Sequence, residues 1–327
     1  MPPDTGRASY VLPLQPEDGY QHLLDAMPVM LWTANAAGNW EHVNRAWAEY
    51  TGVIGGARGF GFEEALHPDD EPRTLAVWKR AIERGDDHEI EYRLRRQDGV
   101  YRWFLVRGVR VADDAGRNVA WVGTCTDIEA QKRAEEQAAR TREAAVRALG
   151  LALEARDRET KGHTDRVTAW SSRLGEALGL DAPALEALRL GAYLHDMGKL
   201  SISDTVLLKP GALDAAEWEA IRGHPREGER FAAALGFVPV PALDLIRAHH
   251  ERWDGSGYPH GLAGETIPLL ARLFAVVDVY DALTSERPYK HAWRPEEAIA
   301  ELRAQAGRQF DPEVVAAFLR LLEAEGA

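Results

Sequence analysis

The sequence predicts a multidomain chain: a small α+β domain built on an antiparallel sheet, a long helical linker, and an all-α domain filling the C-terminal half. Three observations predict it. Strand-like runs separated by turn residues crowd the stretch before residue 128, a Pro-free segment rich in Ala, Glu, Arg and Gln follows, and beyond it apolar residues recur at helical spacing. A length of 327 residues accommodates two or three domains.

Residues 1–18 are rich in Pro, Asp and Gly without periodicity and read as a flexible lead-in. Tyr20 to Met27 has a helical pattern that stops at Pro28. Met30–Ala34 and Trp40–Val43, flanking a polar turn at Asn35–Asn39, form a hairpin. Three further strands are expected at His88–Leu94, Val100–Arg107 and Val119–Cys125, joined through Gln97–Gly99 and Asp113–Gly116 as a meander. From Asp127 to about Arg158 Pro is absent and Gly150 is the single glycine, which predicts one long helix. Few large apolar residues occur before Val146, so its early part is a solvated connector or weak coiled coil. Further on, Val167, Trp170, Leu174, Ala177 and Leu178 fall on one face of a helix. The expected domains are 19–130, a linker at 131–148, and 149–327.

Composition narrows the function. Hydrophobic residues make up 45% and charged residues 28%, as in an ordinary globular protein. A formal charge of −13 argues against a partner such as duplex nucleic acid or an anionic membrane, while leaving room for a local basic pocket. One cysteine, Cys125, excludes an intramolecular disulfide framework and a Cys-rich zinc module. No apolar run approaches the roughly 20 residues of a membrane helix; the longest, Leu269–Tyr280, is interrupted by Arg272 and Asp278. The first residues carry neither the basic nor the apolar region of a secretory signal, so the expected compartment is the cytoplasm.

Seven of the eleven histidines lie in the C-terminal half, in telling company. Glu159 and His163 are four apart, a spacing that places two ligands on one helical face. His195-Asp196 is followed by Gly198-Lys199, His224 precedes Pro225, and His249-His250 is an adjacent pair. Asp278 interrupts an apolar run, where a buried carboxylate must be paired or metal-bound. Five imidazoles with two or three carboxylates are too many donors for one metal ion and suit two or three. His195 and Asp196 could serve two neighbouring ions, or one ion if a helix ends there, and Gly198 favours an end.

His195-Asp196, with His163 before it and Asp278 after it, resembles the HD superfamily of metal-dependent phosphohydrolases. The segment from His249 to Pro259 is similar to the HHExxDGxGYP signature of the HD-GYP branch, and Asp278 to Lys290 to its second long signature. The resemblance covers about 149–327. It implies hydrolysis of the bacterial second messenger cyclic di-GMP to linear pGpG, and on to GMP, by a water activated between divalent ions of iron or manganese. Carried over position by position, the metal ligands are His163, His195, Asp196, His224, His249, His250 and Asp278. Asp196 would bridge, and Glu159 stands where some members hold a third ion. Lys199 would direct its ammonium at non-bridging phosphate oxygens. Gly257, Tyr258 and Pro259 would line the substrate cleft, and Arg287 and Lys290 match positions that contact guanine or phosphate. Val277 is a conservative departure before Asp278. Alternatives are an HD hydrolase of another cyclic dinucleotide or nucleotide, and a non-catalytic cyclic di-GMP receptor or docking module.

The N-terminal pattern resembles a PAS sensor domain through Asn44–Gly52, His67–Asp70, Glu91–Gly99 and Trp121–Ile128. The resemblance names no ligand. Cys125 at a strand end does not suit flavin adduct chemistry, and His42, His67 and His88 are haem-ligand types without further support. Trp32, Trp40, Trp47, Trp103 and Trp121 are expected in the core or on a dimer face. A homodimer through the PAS domain and the start of the linker is expected, with the PAS domain controlling the hydrolase through the helix.

Overall fold

A computed structural model describes residues 22–53, 62–157, 160–286 and 291–325. The chain divides into two compact units, Met1–Ala138 and Ala139–Ala327.

The first unit is a five-stranded antiparallel sheet of β1 (Met30–Asn35), β2 (Trp40–Val43), β3 (His88–Arg95), β4 (Tyr101–Ala112) and β5 (Asn118–Asp127), in the order β2-β1-β5-β4-β3. Helices α1 (Arg45–Thr51) and α2 (Glu71–Arg84) lie between β2 and β3 in the chain. Residues 22–26 are helical, in line with the pattern that stops at Pro28. The hairpin turn forms because the Asn35 side-chain oxygen accepts the Ala37 and Asn39 amides, while Gly38 takes a left-handed φ of 86°. The Asp70 carboxylate receives the Arg93 guanidinium at 2.9 Å and 3.0 Å and the Arg93 amide at 3.0 Å, which ties the start of α2 to β3.

The core of this sheet follows from its register. His88 pairs with Gly108, Gly108 with Gly123, and Gly123 with Trp32, so four strands form one cross-strand row with rings at its ends and glycines between. A Cβ on Gly108 would come within 2.1 Å of the His88 ring, and one on Gly123 within 2.2 Å of the Trp32 indole. The absent side chains make room for both rings. Trp40 stacks on Trp32 at 4.9 Å, Trp78 meets Trp32 edge-on at 5.4 Å, and Trp47 and Trp121 are fully buried beside them. The remaining cavity, lined by residues including Trp32, Phe62, Trp78 and His88, is about 10 Å³, room for about one water. Trp103 is not part of this core; its ring lies under the Arg93 and Lys132 cations on the other side of the sheet.

Helix α3 (Glu129–Asp157) runs unbroken through the Ala-rich stretch. Among its later residues Val146, Gly150, Leu153 and Glu154 are buried. Its lone glycine has a packing reason: a Cβ on Gly150 would sit 2.6 Å from the Tyr193 carbonyl oxygen, so α3 can lie close against the next helix but one only there.

The second unit continues with α4 (His163–Ala177), α5 (Ala182–Leu194), α6 (Asp204–Leu207), α7 (Ala215–Arg222), α8 (His224–Ala234), α9 (Val240–Ala248), α10 (Leu269–Thr284), α11 (Pro295–Gln305) and α12 (Pro312–Glu325). Its core joins Val167, Leu174, Leu188, Leu194, Leu245, Phe274, Val277 and Phe318. Helix α10 is the centre, so the apolar run Leu269–Tyr280 is a core helix. Among the described residues no helix is long and apolar enough to cross a membrane.

One sequence expectation is corrected. Ala177 and Leu178 are exposed, because α4 ends at Ala177 and the chain turns back through Gly179 to pack Leu180 on the core instead. The expected pairing of Glu159 with His163 on one helical face falls on a residue outside the described ones. α3 ends at Asp157, Gly162 adopts φ 81°, and His163 opens a new helix. The buried Glu154 carboxylate caps α4 by accepting the Gly162 amide at 2.6 Å and the Thr164 amide at 2.9 Å, otherwise unpaired donors at its start.

Candidate metal centre

The site forms where several helices end. Helix α5 stops at Leu194, His195 caps it, and Asp196 leads into a 3-10 turn over Met197–Ser201. Gly198 presses this turn onto α8: a Cβ there would lie 1.8 Å from the His224 carbonyl oxygen and 2.5 Å from the Gly228 nitrogen. Only glycine allows the approach that puts Asp196 beside His224, the first residue of α8. His249 caps α9 with His250 next to it, and Asp278 projects from the middle of α10.

The histidine donors fall into two trios, His163–His195–Asp278 and His224–His249–His250, each with ligating atoms within 4.8 Å of one another. Asp196 stands between them. Its Oδ2 is 3.2 Å from His195 Nε2, and its Oδ1 is 3.3 Å from His224 Nε2 and 4.0 Å from His249 Nε2. One carboxylate thus turns one oxygen to each trio.

The outward nitrogens fix the tautomers. Nδ1 of His195, His224 and His249 lies 2.7 Å from the carbonyl oxygens of Ala192, Ile221 and Ile246, each three residues back at a helix end. A carbonyl only accepts, so each Nδ1 carries a hydrogen and each Nε2 faces inward. Nδ1 of His163 is likewise 2.7 Å from Asp281 Oδ2. Nε2 of His224 and Nε2 of His249 confront each other at 3.2 Å. Burial, together with His250 and His224, holds the His249 pKa far below its usual value, so that imidazole stays neutral. Imidazole with carboxylate is a donor set for divalent transition metals. Burial also pushes His250 down to about 3. At His195 burial is outweighed by Asp196, and its pKa rises to about 9. The Asp196 carboxyl is held far below the carboxylate range against its burial, chiefly by His195 and Lys199. His249 and His250 are therefore neutral and Asp196 ionised, with a proton held between His195 and Asp196 that a cation would replace.

Lys199 Nζ lies 2.6 Å from Asp196 Oδ2 and 2.8 Å from Asp157 Oδ2. The loop after His250 is shaped by Gly257, where a Cβ would stand 2.3 Å from the Arg252 nitrogen. It brings the Tyr258 ring to 4.8 Å from His250, and Arg226 donates to the Pro259 carbonyl at 3.2 Å. Buried Glu251 holds the loop by accepting the His260 and Leu262 amides at 2.7 Å and 3.0 Å.

The fold thus brings together His163, His195, Asp196, Lys199, His224, His249, His250 and Asp278, with Tyr258 beside them. Glu159, Arg287 and Lys290 lie outside the described residues. Sequence reasoning missed Asp157, Glu154, Glu251 and Asp281. Asp281 carried the same signal as Asp278, a carboxylate in an apolar helix three residues on.

This arrangement, helix-end histidines around an HD pair, defines an HD domain, and the chain belongs to that family: its model matches residues 147–314, just over half of the chain. The family implies divalent metal binding. The model of the PAS fold matches residues 41–125, in agreement with the antiparallel sheet of the first unit. The chain is 48% identical over 174 residues to the cyclic di-GMP phosphodiesterase response regulator RpfG of Xanthomonas campestris, covering 53% of this chain and 46% of the relative. It is 42% identical over 175 residues to a cyclic di-GMP phosphodiesterase of Thermotoga maritima, covering 53% and 47%. It is also 42% identical over 168 residues to the 3'3'-cGAMP-specific phosphodiesterase 2 of Vibrio cholerae, covering 51% and 32%. The chain spans about half the length, or less, of these curated relatives.

Proposed function

We propose that the chain is a PAS-regulated, metal-dependent phosphodiesterase that hydrolyses cyclic di-GMP to linear pGpG, with GMP as a further product. The observation that carries this reading is Asp196, whose two oxygens face two separate trios of donors. Iron or manganese ions would be held by His163, His195, Asp196 and Asp278 on one side and Asp196, His224, His249 and His250 on the other. Glu159 would serve a third ion. Bound there, the ions would polarise the phosphodiester and lower the pKa of the attacking water.

The chain's own residues do the rest. Asp196 holds the two halves of the donor set together, and the Nδ1 acceptors keep every Nε2 directed inward. Lys199, braced by two carboxylates, offers its ammonium to the non-bridging phosphate oxygens. Gly257, Tyr258 and Pro259 form one wall of the cleft, and Arg287 and Lys290 take up base or phosphate. Purified protein supplied with manganese or ferrous iron should convert cyclic di-GMP to pGpG, and Asp196→Ala should abolish this while retaining the helical spectrum. Turnover by the Asp196→Ala protein would overturn the reading.

A second reading, 3'3'-cGAMP as the preferred substrate, is favoured by the specificity in the name of the Vibrio relative. Comparing kcat/KM for the two dinucleotides on one preparation decides between them.

Residues 19–130 act in this proposal as the sensor, 131–148 as the linker and 149–327 as the hydrolase, in the cytoplasm. The protein forms a homodimer through the PAS domain and the start of the linker. Every side chain from 133 to 145 on α3 is exposed, and such a stretch gains helical stability from a packing partner. Light scattering should give twice the chain mass, and the monomer mass at micromolar concentration would count against it.

A further inference from the structure

The last two residues of α3 hold both ends of Lys199. The Asp157 carboxylate, almost wholly buried, accepts from Lys199 Nζ at 2.8 Å. Arg156 takes the backbone. Its Nη1 donates to the Lys199 carbonyl at 2.9 Å, and its Nη2 donates to the Ile202 carbonyl at 2.7 Å and to Asp204 Oδ1 at 2.8 Å. Ile202, one of the carbonyls held, is itself buried. The 3-10 turn aligns the carbonyls of residues three apart, and a planar guanidinium can meet both together with a carboxylate. A lysine ammonium, a point charge without the fork, cannot reproduce that geometry.

We infer that Arg156 is a positioning residue through which the end of the long helix sets Lys199. The inference rests on the phosphodiesterase reading for its catalytic consequence, though the clamp itself is a matter of geometry. Helix α3 starts at Glu129, two residues after β5 ends, so the element that leaves the sheet is the one that grips the Lys199 segment. The clamp bonds are 2.7–2.9 Å long, and a displacement of the helix end by about 1 Å would break them and shift Lys199 relative to Asp196. Misplacement of that size costs on the order of 100-fold in rate.

The test uses the full chain and four variants: Arg156→Ala, Arg156→Lys, Lys199→Met, and the double change of Arg156→Ala with Lys199→Met. Arg156→Ala should lower kcat for cyclic di-GMP about 10- to 100-fold, with KM and bound metal unchanged. Arg156→Lys should recover part of the loss. The double variant should be no slower than Lys199→Met alone, since Arg156 acts through Lys199. Amide exchange of residues 199–204 should rise in Arg156→Ala while that of α10 stays fixed. Equal losses in both backgrounds, or loss of metal along with activity, would overturn the inference. If the unaltered chain does not hydrolyse cyclic di-GMP, the functional reading fails by itself. The exchange measurement still decides the clamp, and unchanged protection of 199–204 would refute it.

Discussion

Asp281 and His163 are joined at 2.7 Å, carboxylate Oδ2 to ring Nδ1, while the opposite nitrogen of that imidazole lies 3.4 Å from Asp278 Oδ1. Two carboxylates one turn apart on α10 therefore bracket one ring. Asp281 is anchored in turn by Arg166, whose Nε donates to Oδ1 at 2.6 Å and whose Nη2 donates to Oδ2 at 3.0 Å. Burial works against the charge of Asp281, but the bonds from His163 and Arg166 prevail and keep its pKa below the usual range. A carboxylate acceptor behind a ligating imidazole fixes its tautomer and raises its basicity.

Asp281→Asn keeps an acceptor for the ring hydrogen and removes the charge. Metal affinity should fall about 10- to 100-fold. Titration against a chromogenic chelator measures it, and an affinity equal to that of the unaltered protein would contradict the role.

Gly198→Ala tests the turn that seats Asp196. The added carbon would meet backbone atoms of α8 at 1.8 Å and 2.5 Å, which no side-chain adjustment relieves. Separation of the two elements should cost about 1–3 kcal/mol or more of stability. Bound metal should fall with it, because Asp196 would no longer stand between the trios. A variant with unchanged melting temperature and metal content would show that the contact is not needed.

His88 gives the first unit a pH dependence. Burial among the tryptophans lowers its pKa to about 4, against an ordinary value of 6.5. Between those values the unfolded chain binds a proton that the folded chain refuses, so stability should fall as pH drops from 6.5 toward 4. His88→Phe keeps a ring over Gly108 and removes the titration. Thermal unfolding followed by tryptophan fluorescence should show a smaller decline between pH 7 and pH 5 in the variant. Identical declines would contradict the assignment.

Much of this was legible in the sequence because chain-local signals decide it. The meander follows from turn residues, α3 from its composition, and the gathering of histidines with Asp196 and Asp278 from the motifs that carry the family resemblance. What escaped is decided by tertiary approach. Glu154 reads as an ordinary helical glutamate until its carboxylate is seen capping α4 eight residues on. Arg156 and Asp157 lie more than forty residues from Lys199 in sequence and could not be linked to it by periodicity. Gly108 and Gly123 look like weak points in their strands and become meaningful only through the register that sets them beneath two rings.

The most direct measurement is made on anaerobically purified protein, with metals counted per chain and cyclic di-GMP followed by chromatography in manganese or ferrous iron. Two or three metals per chain, linear pGpG as product, and neither full metal content nor turnover in Asp196→Ala are the expected results. A chain that binds no metal, or one that hydrolyses the dinucleotide equally well without Asp196, would contradict the metal-centred mechanism.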